Sequence, residues 1–138
     1  MAELVITPQS LADFIAFDSS RPWTPGGSVD CCLALAEWAI WLGYPDPVLK
    51  FRGTYQAGQG QLDMLARHGG ALELVRRQAE AIGGRPLAVP KLGCIAVVGS
   101  LSKPTRQFGV IHDGEGWITR TPTGWHGIAA RALGMWEI

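Results

Sequence analysis

The stretch Asp30–Leu42, DCCLALAEWAIWL, decides the fold because it contains the longest apolar run of the chain. Asp30 is a typical N-cap residue and Gly43 a typical stop, so the stretch predicts a helix over Cys31–Leu42. Its apolar side chains cover almost the whole helix surface, which is typical of a central buried helix. The run is interrupted by Glu37 and is too short to span a bilayer. We therefore expect a core helix here and no membrane-spanning segment.

Helical patterns occupy the first part of the chain, and strand patterns occupy the second. Apolar spacing and helix-stop residues predict three further helices, over residues 8–18, 59–68 and 70–82. After Pro90, short apolar segments separated by Gly and Pro predict strands, over Cys94–Val98, Phe108–Ile111, Gly116–Thr121 and Ile128–Ile138. Asp113–Gly116 has the composition of a tight hairpin turn. The layout predicts an α+β fold, one domain over residues 1–138, with N-terminal helices packed on a small C-terminal antiparallel sheet.

Composition excludes several classes of function. Twelve basic and twelve acidic residues cancel, so the chain has no basic field for nucleic acid and no basic run for a membrane surface. The N-terminal sequence Met1–Leu4 has no basic residue, which predicts no signal peptide. Three cysteines are an odd number, which argues against a disulfide framework and for synthesis in a reducing compartment, the cytoplasm.

Cys31 is the candidate nucleophile. A thiol in the first turn of a helix is stabilised as thiolate by the free N–H groups there. It also needs a base, and the chain offers three histidines. His68 lies at a predicted helix end, where capping is its expected role. His112 ends a predicted strand and His126 lies in a predicted loop, so either could reach a cysteine, although a structural role is the larger expectation for both.

Metal binding is the second chemistry to weigh. Cys31, Cys32, Cys94 and one histidine could supply four ligands. Adjacent cysteines on a helix point about 100° apart, however, and zinc sites favour spacings such as Cys-x2-Cys. No glycine-rich phosphate loop lies between a predicted strand and a helix. We therefore expect neither a metal nor a cofactor.

Phe51–Tyr55, Phe-Arg-Gly-Thr-Tyr, is a second distinctive piece, with two interpretations. Arg52 and Tyr55 could be exposed at a protein–protein binding surface, because Arg and Tyr are enriched in binding hot spots. Alternatively, Arg52 pairs with an acidic neighbour such as Asp46, while Phe51 and Tyr55 pack locally. The sequence leaves both interpretations open.

The order of these motifs resembles the NlpC/P60 branch of the papain-like fold, a group of cell-wall peptidases. Asp30–Leu33 is similar to the Asp-Cys-Ser-Gly motif of that family, with Cys-Leu in place of Ser-Gly. Gly93–Val98 is similar to the Gly-Asp-Ile-Val-x-Phe strand, with Cys94 in place of the acidic residue. The resemblance implies a papain-like (NlpC/P60-like) domain.

A closer resemblance is to small phage and prophage proteins of this fold, and it covers nearly the whole chain. They carry Trp-Gly-x-x-Asp-Cys-Cys, an acidic Pro-rich bend and Phe-Arg-Gly-x-Tyr. The counterparts here are Trp23 with Gly26–Gly27, Asp30–Cys32, Tyr44–Pro47, Phe51–Tyr55 and the final Met135–Ile138. The resemblance implies a bacteriophage tail-tip or hub component of the virion, made in the host cytoplasm. Its implied partners are other tail proteins and peptidoglycan, and Trp23, Arg52 and Tyr55 are the candidate binding residues.

The chain departs from the family at the base. When Gln107–Val110 is laid on the family's His-Val-Gly-Ile strand, Gln107 takes the place of the base, and an amide cannot accept a proton at neutral pH. His112 lies five residues further along, so strand alternation turns it to the opposite face unless a bulge intervenes. This predicts a degenerate peptidase-like domain. The alternative is an active cysteine peptidase or amidase that cleaves peptidoglycan, with Cys31 as nucleophile and His112 or His126 as base.

Overall fold

Among the residues that the structure describes, four α-helices lie in the N-terminal part of the chain. The computed structural model describes residues 5–23, 33–53, 59–67, 69–102 and 107–138. Within these ranges the helices are α1 (Pro8–Ser19), α2 (Leu33–Trp41), α3 (Gln59–Arg67) and α4 (Ala71–Ala81), and a 3-10 helix covers Leu49–Phe51. The four predicted helices are confirmed, with α2 inside the predicted Cys31–Leu42. None of the described helices is long and apolar enough to cross a membrane.

Helix α1 brings a charged residue into the core. Its start is fixed by a capping box, in which the Thr7 hydroxyl accepts the Ser10 amide and the Ser10 hydroxyl accepts the Thr7 amide. Its buried residues are Leu11, Phe14 and Asp18, at the three- and four-residue spacing of one helix face. Asp18 is therefore carried inward on the same face as the apolar residues.

The C-terminal part forms a six-stranded sheet in which every pairing is antiparallel. The strands are β1 (Arg85–Pro86), β2 (Ile95–Ser100), β3 (Gln107–His112), β4 (Trp117–Thr121), β5 (Gly124–Ile128) and β6 (Ala130–Glu137). Their order in the sheet is β1-β6-β2-β3-β4-β5. The predicted α+β class and the antiparallel sheet are confirmed. The Asp113–Gly116 turn is also confirmed, since the Asp113 amide donates to the Gly116 carbonyl at 3.0 Å.

Two strands differ from the prediction. Gly124–Ile128 was expected to be a loop as far as His126, but it forms β5, in which His126 pairs with Thr119 of β4. The sequence does not predict this strand, because its two glycines and its histidine interrupt the apolar alternation. The strand is stabilised by its pairing with β4, although its own strand propensity is low. The short β1 was not predicted either, because proline disfavours a strand. Proline is tolerated mainly in edge strands, and β1 lies at the edge of the sheet.

The sheet curls back on itself. Ile128 ends β5 at one edge, paired with Trp117 of β4. Ala130 begins β6, which pairs with β2 on the other side of β3, where Ala130 lies opposite Ser100. Ile128 and Ala130 are only two residues apart, so their Cα atoms are at most about 7 Å from each other. The strands β2 to β6 must therefore curve toward a barrel.

The curled sheet has apolar packing on both faces. One face meets the helices in a core that includes Phe14, Trp38, Leu42, Ile95, Ile111 and Ile118. The other face encloses a second core formed by Ala96, Val98 and Val110, with Phe108, Trp117, Ile128 and Met135 packed against it. Ala96, Val97 and Val98 are each 0% exposed, so β2 is buried on both faces.

Trp38 fixes α2 to the start of the sheet. Its indole Nε1 donates to the Gly93 carbonyl at 2.9 Å. Gly93 has a φ of +79° and a backbone so close to the N-terminal segment that an added Cβ would lie 2.4 Å from Cγ2 of Ile6. Only glycine meets both conditions without strain.

Candidate functional site

Several of the predicted site residues lie outside the described part of the chain. They are Cys31, Cys32, Tyr55 and His68. The nucleophile and the Tyr55 binding residue therefore stay predictions. The site that can be built from described residues contains Gln107, His112 and His126 on the sheet, and Trp23 and Arg52 near the helices.

The register of β3 separates Gln107 from His112. Ile111 pairs with Ile95 and Gln107 with Gly99 of β2, with no register shift between them. Side chains alternate along a regular strand, so residues five apart face opposite sides. The irregularity of this sheet lies on the other side of β2, in its pairing with β6 at Val97/Val98. Gln107 thus lies on the same face as Ile111, which packs against the helices, and His112 lies on the opposite face.

His112 takes part in the hairpin that follows it. Its ring packs edge-on against Trp117, with the ring centroids 4.8 Å apart and an interplanar angle of 85°. Its Nδ1 accepts the Gly114 amide at 3.1 Å. Because Nδ1 is an acceptor, the neutral ring carries its proton on Nε2. The contacts of His112 are those of a turn-stabilising side chain.

His126 lies on the same face as His112. Trp117 is the cross-strand partner of His112, and Thr119 follows two residues later on β4, opposite His126. Directly opposed residues share a face, as do residues two apart on a strand. The His126 ring is exposed, and its Nε2 lies 2.9 Å from the Thr123 hydroxyl. Both histidines of the sheet are therefore on the face away from α1 and α2.

Cys94 is a buried thiol. The side chain precedes β2, and the residue is 2% exposed. Burial raises the pKa of the Cys94 thiol above its ordinary value, because the thiolate would lose its hydration. Among the described residues, no three His, Cys, Asp or Glu side chains are grouped to hold a metal ion.

A chain of six alternating charges links the helices to the sheet, and the Arg52–Asp46 pair is the part of it that was predicted from the sequence. We call it the ion chain; its members, in order, are Arg120, Asp18, Arg21, Glu37, Arg52 and Asp46.

The inner end of the ion chain is fully buried. Asp18 is 0% exposed and Arg120 is 2% exposed, and Arg120 Nε donates to Asp18 Oδ2 at 3.1 Å. Arg120 also donates to the backbone carbonyls of Asp18, Arg21 and Thr121. The indole Nε1 of Trp125 donates to the same Asp18 oxygen at 2.9 Å. The other oxygen, Oδ1, has no hydrogen-bond partner and lies 3.7 Å from Arg21 Nη1.

The outer end joins α2 to the bend that follows it. Glu37 binds Arg21 at 3.0 Å through one oxygen and Arg52 at 2.9 Å through the other. Arg52 Nε donates to Asp46 Oδ2 at 2.6 Å, and the Asp46 carboxylate also accepts the Val48 amide at 3.0 Å. The pairing of Arg52 with Asp46 is confirmed, and the use of Arg52 as a binding residue stays a prediction.

Trp23 contacts the ion chain at its buried end. The Arg120 guanidinium lies over the Trp23 ring, 5.8 Å from its centroid, a cation–π distance. A signal for this buried end was present in the sequence. Asp18 follows Phe14 by four residues on an apolar helix face, and Arg120 follows Ile118 by two on a strand, so both charges occupy inward positions.

Comparison with known proteins identifies a family. No curated protein and no solved structure matches the chain. One family model, described as "Domain of unknown function (DUF6950)", matches residues 5–138. Since that match covers almost the whole sequence, the chain belongs to the DUF6950 family.

Proposed function

We propose that this protein is a tail-tip (hub-associated) component of a bacteriophage, built on a papain-like, NlpC/P60-like domain whose catalytic set is incomplete. In this proposal it acts by binding neighbouring tail proteins. The motifs around Asp30–Cys32 and Phe51–Tyr55 suggest the phage assignment through their resemblance. The α+β order, with helices before an antiparallel sheet, is compatible with it.

The observation that carries the degenerate assignment is the unbroken pairing of β2 with β3. Gln107 lies on the helix-packed face, where the resemblance expects the base, and the pairing contains no bulge that would turn His112 toward the same face. His126 is also on the opposite face. An amide does not act as a general base, and losing such a base typically reduces a reaction rate by 10²–10⁴-fold.

The charge and composition of the chain favour a role in binding other proteins. They do not favour a role that depends on long-range attraction of a charged ligand. Acidic and basic residues are equal in number, so long-range attraction of a charged substrate is weak. Six tryptophans in the chain suit contacts with protein, since Trp is enriched in interface cores. Within the described residues, however, Trp38 and Trp136 are buried in the core.

The first test measures the reactivity of the Cys31 thiol and asks whether a histidine at position 107 increases it. In a Cys32→Ala background, iodoacetamide labelling of Cys31 is followed against pH by peptide mass spectrometry. We expect a profile near that of a free thiol, with a pKa of about 8.5. Gln107→His should shift the profile to lower pH, because it installs an imidazole at the expected base position. Glu115→His, in the exposed β3–β4 turn, is the control and should leave the profile unchanged.

The second test asks for enzymatic activity and for location. Wild type and Cys31→Ala are incubated with purified peptidoglycan, and released muropeptides are measured. We expect no release from either protein, and a fixed copy number of the chain in purified phage particles. Release that depends on Cys31 would contradict the degenerate assignment in favour of an active peptidase, and absence from the particles would contradict the tail assignment.

A further inference from the structure

Glu37 occupies the centre of the ion chain. It is the single charged residue of α2, whose sequence is LALAEWAIW, and its side chain is 13% exposed. One carboxylate oxygen binds Arg21, just after α1, and the other binds Arg52, in the bend after α2. One side chain of α2 therefore holds the chain at two places that are 31 residues apart in sequence.

Each arginine also has a second acidic partner. Arg21 lies 3.7 Å from Asp18, and Arg52 lies 2.6 Å from Asp46. These second carboxylates offset the repulsion between two guanidinium groups that share Glu37. The arrangement can therefore hold both arginines at the same time.

The conformational entropy lost when the Glu37 side chain becomes ordered is lost only once, even though the side chain binds two arginines. When Arg52 fixes the Glu37 carboxylate, Arg21 binds a partner that is already ordered, so its own binding costs less. The same holds in reverse, because coupling between two interactions is reciprocal. The two ion pairs of Glu37 should therefore support each other.

We propose that Glu37 couples the segment after α1, residues 20–23, to the bend after α2, residues 44–53, so that order in one stabilises the other. A molecule that binds or displaces Arg52 then changes the stability of the segment around Arg21. This inference does not depend on the proposed function, since it rests on contacts among described residues.

Hydrogen exchange tests the coupling, with one reporter amide on each side. The Arg21 amide donates to the Asp18 carbonyl at 3.1 Å, and the Val48 amide donates to the Asp46 carboxylate at 3.0 Å. Arg52→Gln should speed exchange at the Arg21 amide, and Arg21→Gln should speed exchange at the Val48 amide. We expect an effect of at least about twofold in each direction, the low end of coupling within one network.

The control is Arg76→Gln on α4. Arg76 also binds two carboxylates, Glu73 and Glu80, but it is outside the ion chain, so neither reporter amide should change. Arg52→Lys keeps the positive charge but loses the paired N–H groups of the guanidinium. It replaces Arg52→Gln if that variant does not fold. Exchange that rises only on the substituted side, with either variant, overturns the proposal.

Discussion

Asp18 and Arg120 are the least expected residues of this protein. Charged side chains are almost never fully buried unless they are paired, and these two are 0% and 2% exposed. They are 102 positions apart in the sequence. Inward periodicity marks each residue as buried, but no sequence pattern says that they meet. Arg52 and Asp46, by contrast, are six positions apart, so their pairing could be predicted from the sequence.

Removal of Asp18 should be strongly destabilising. Asp18→Ala leaves the Arg120 guanidinium buried without its carboxylate, and breaking a buried ion pair in this way costs roughly 3–5 kcal/mol. The measurement is the free energy of unfolding in urea. Asp13→Ala is the matched control on the same helix, because Asp13 is exposed and its carboxylate accepts a hydrogen bond from the Gln9 amide; its cost should be within about 0.5 kcal/mol. Equal effects of the two substitutions would contradict the prediction.

Cys94 should make stability fall at alkaline pH. Its pKa is raised in the folded protein by burial, so the unfolded chain loses the proton first. The contribution of Cys94 to the free energy of unfolding is fully present below the thiol pKa of the unfolded chain, about 8.5. That contribution is lost as the pH rises above this value. Urea unfolding from pH 7 to about pH 10 measures this dependence. Cys94→Ala should flatten the decline, and an unchanged slope would show that another group causes it.

At the scale of single helices and strands, local signals explain which elements could be predicted. The helices carry caps, stops and apolar stripes within their own sequences, as in Thr7–Ser10 of α1. The β3–β4 hairpin carries its turn residues. Strand β5 has no such signal: Gly124–Ile128 is a strand because β4 lies beside it. Its prediction requires tertiary information, which a single sequence does not contain.

Gly93 should tolerate alanine less well than Gly83 does. Its φ of +79° and the contact of a new Cβ with Ile6 add two costs. Gly83 is the matched control, with a φ of +87°, and no heavy atom of a non-adjacent residue in the described part of the chain lies within 4 Å of a new Cβ. Gly83→Ala should therefore cost only the left-handed strain, about 1–2 kcal/mol. Gly93→Ala should cost a further ~1–3 kcal/mol from overpacking.

Thermal and urea unfolding of both glycine variants measures that difference. The contact with Ile6 can be isolated with a second substitution, Ile6→Ala, in the Gly93→Ala background. Relief of the clash should recover part of the lost stability. Equal losses for Gly83→Ala and Gly93→Ala would mean that the N-terminal segment yields to the new methyl group.

On the scale of the whole molecule, β2 connects two cores. Its residues Ile95 and Val97 point to the helix side and Ala96 and Val98 into the curl of the sheet, as strand alternation requires. The apolar run after Gly93 indicated a strand, but it did not indicate that both faces would be covered. That follows from the one-residue link at Ala129, which brings β6 back beside β2. Loss of packing in the curl should therefore weaken the helical layer as well.

Val98→Ala tests whether the two cores unfold as one. Val98 is 0% exposed and faces away from the helices, so its truncation removes packing only in the curl, at a cost of roughly 1–3 kcal/mol. If the molecule is one cooperative unit, helical circular dichroism and tryptophan fluorescence should shift to lower urea together and by the same amount. Leu74→Ala, in the cluster around Val48 and Met64, is the reciprocal control and should shift both signals equally. A fluorescence transition that moves while the helical signal stays in place would separate the curled sheet from the helices as a second unit.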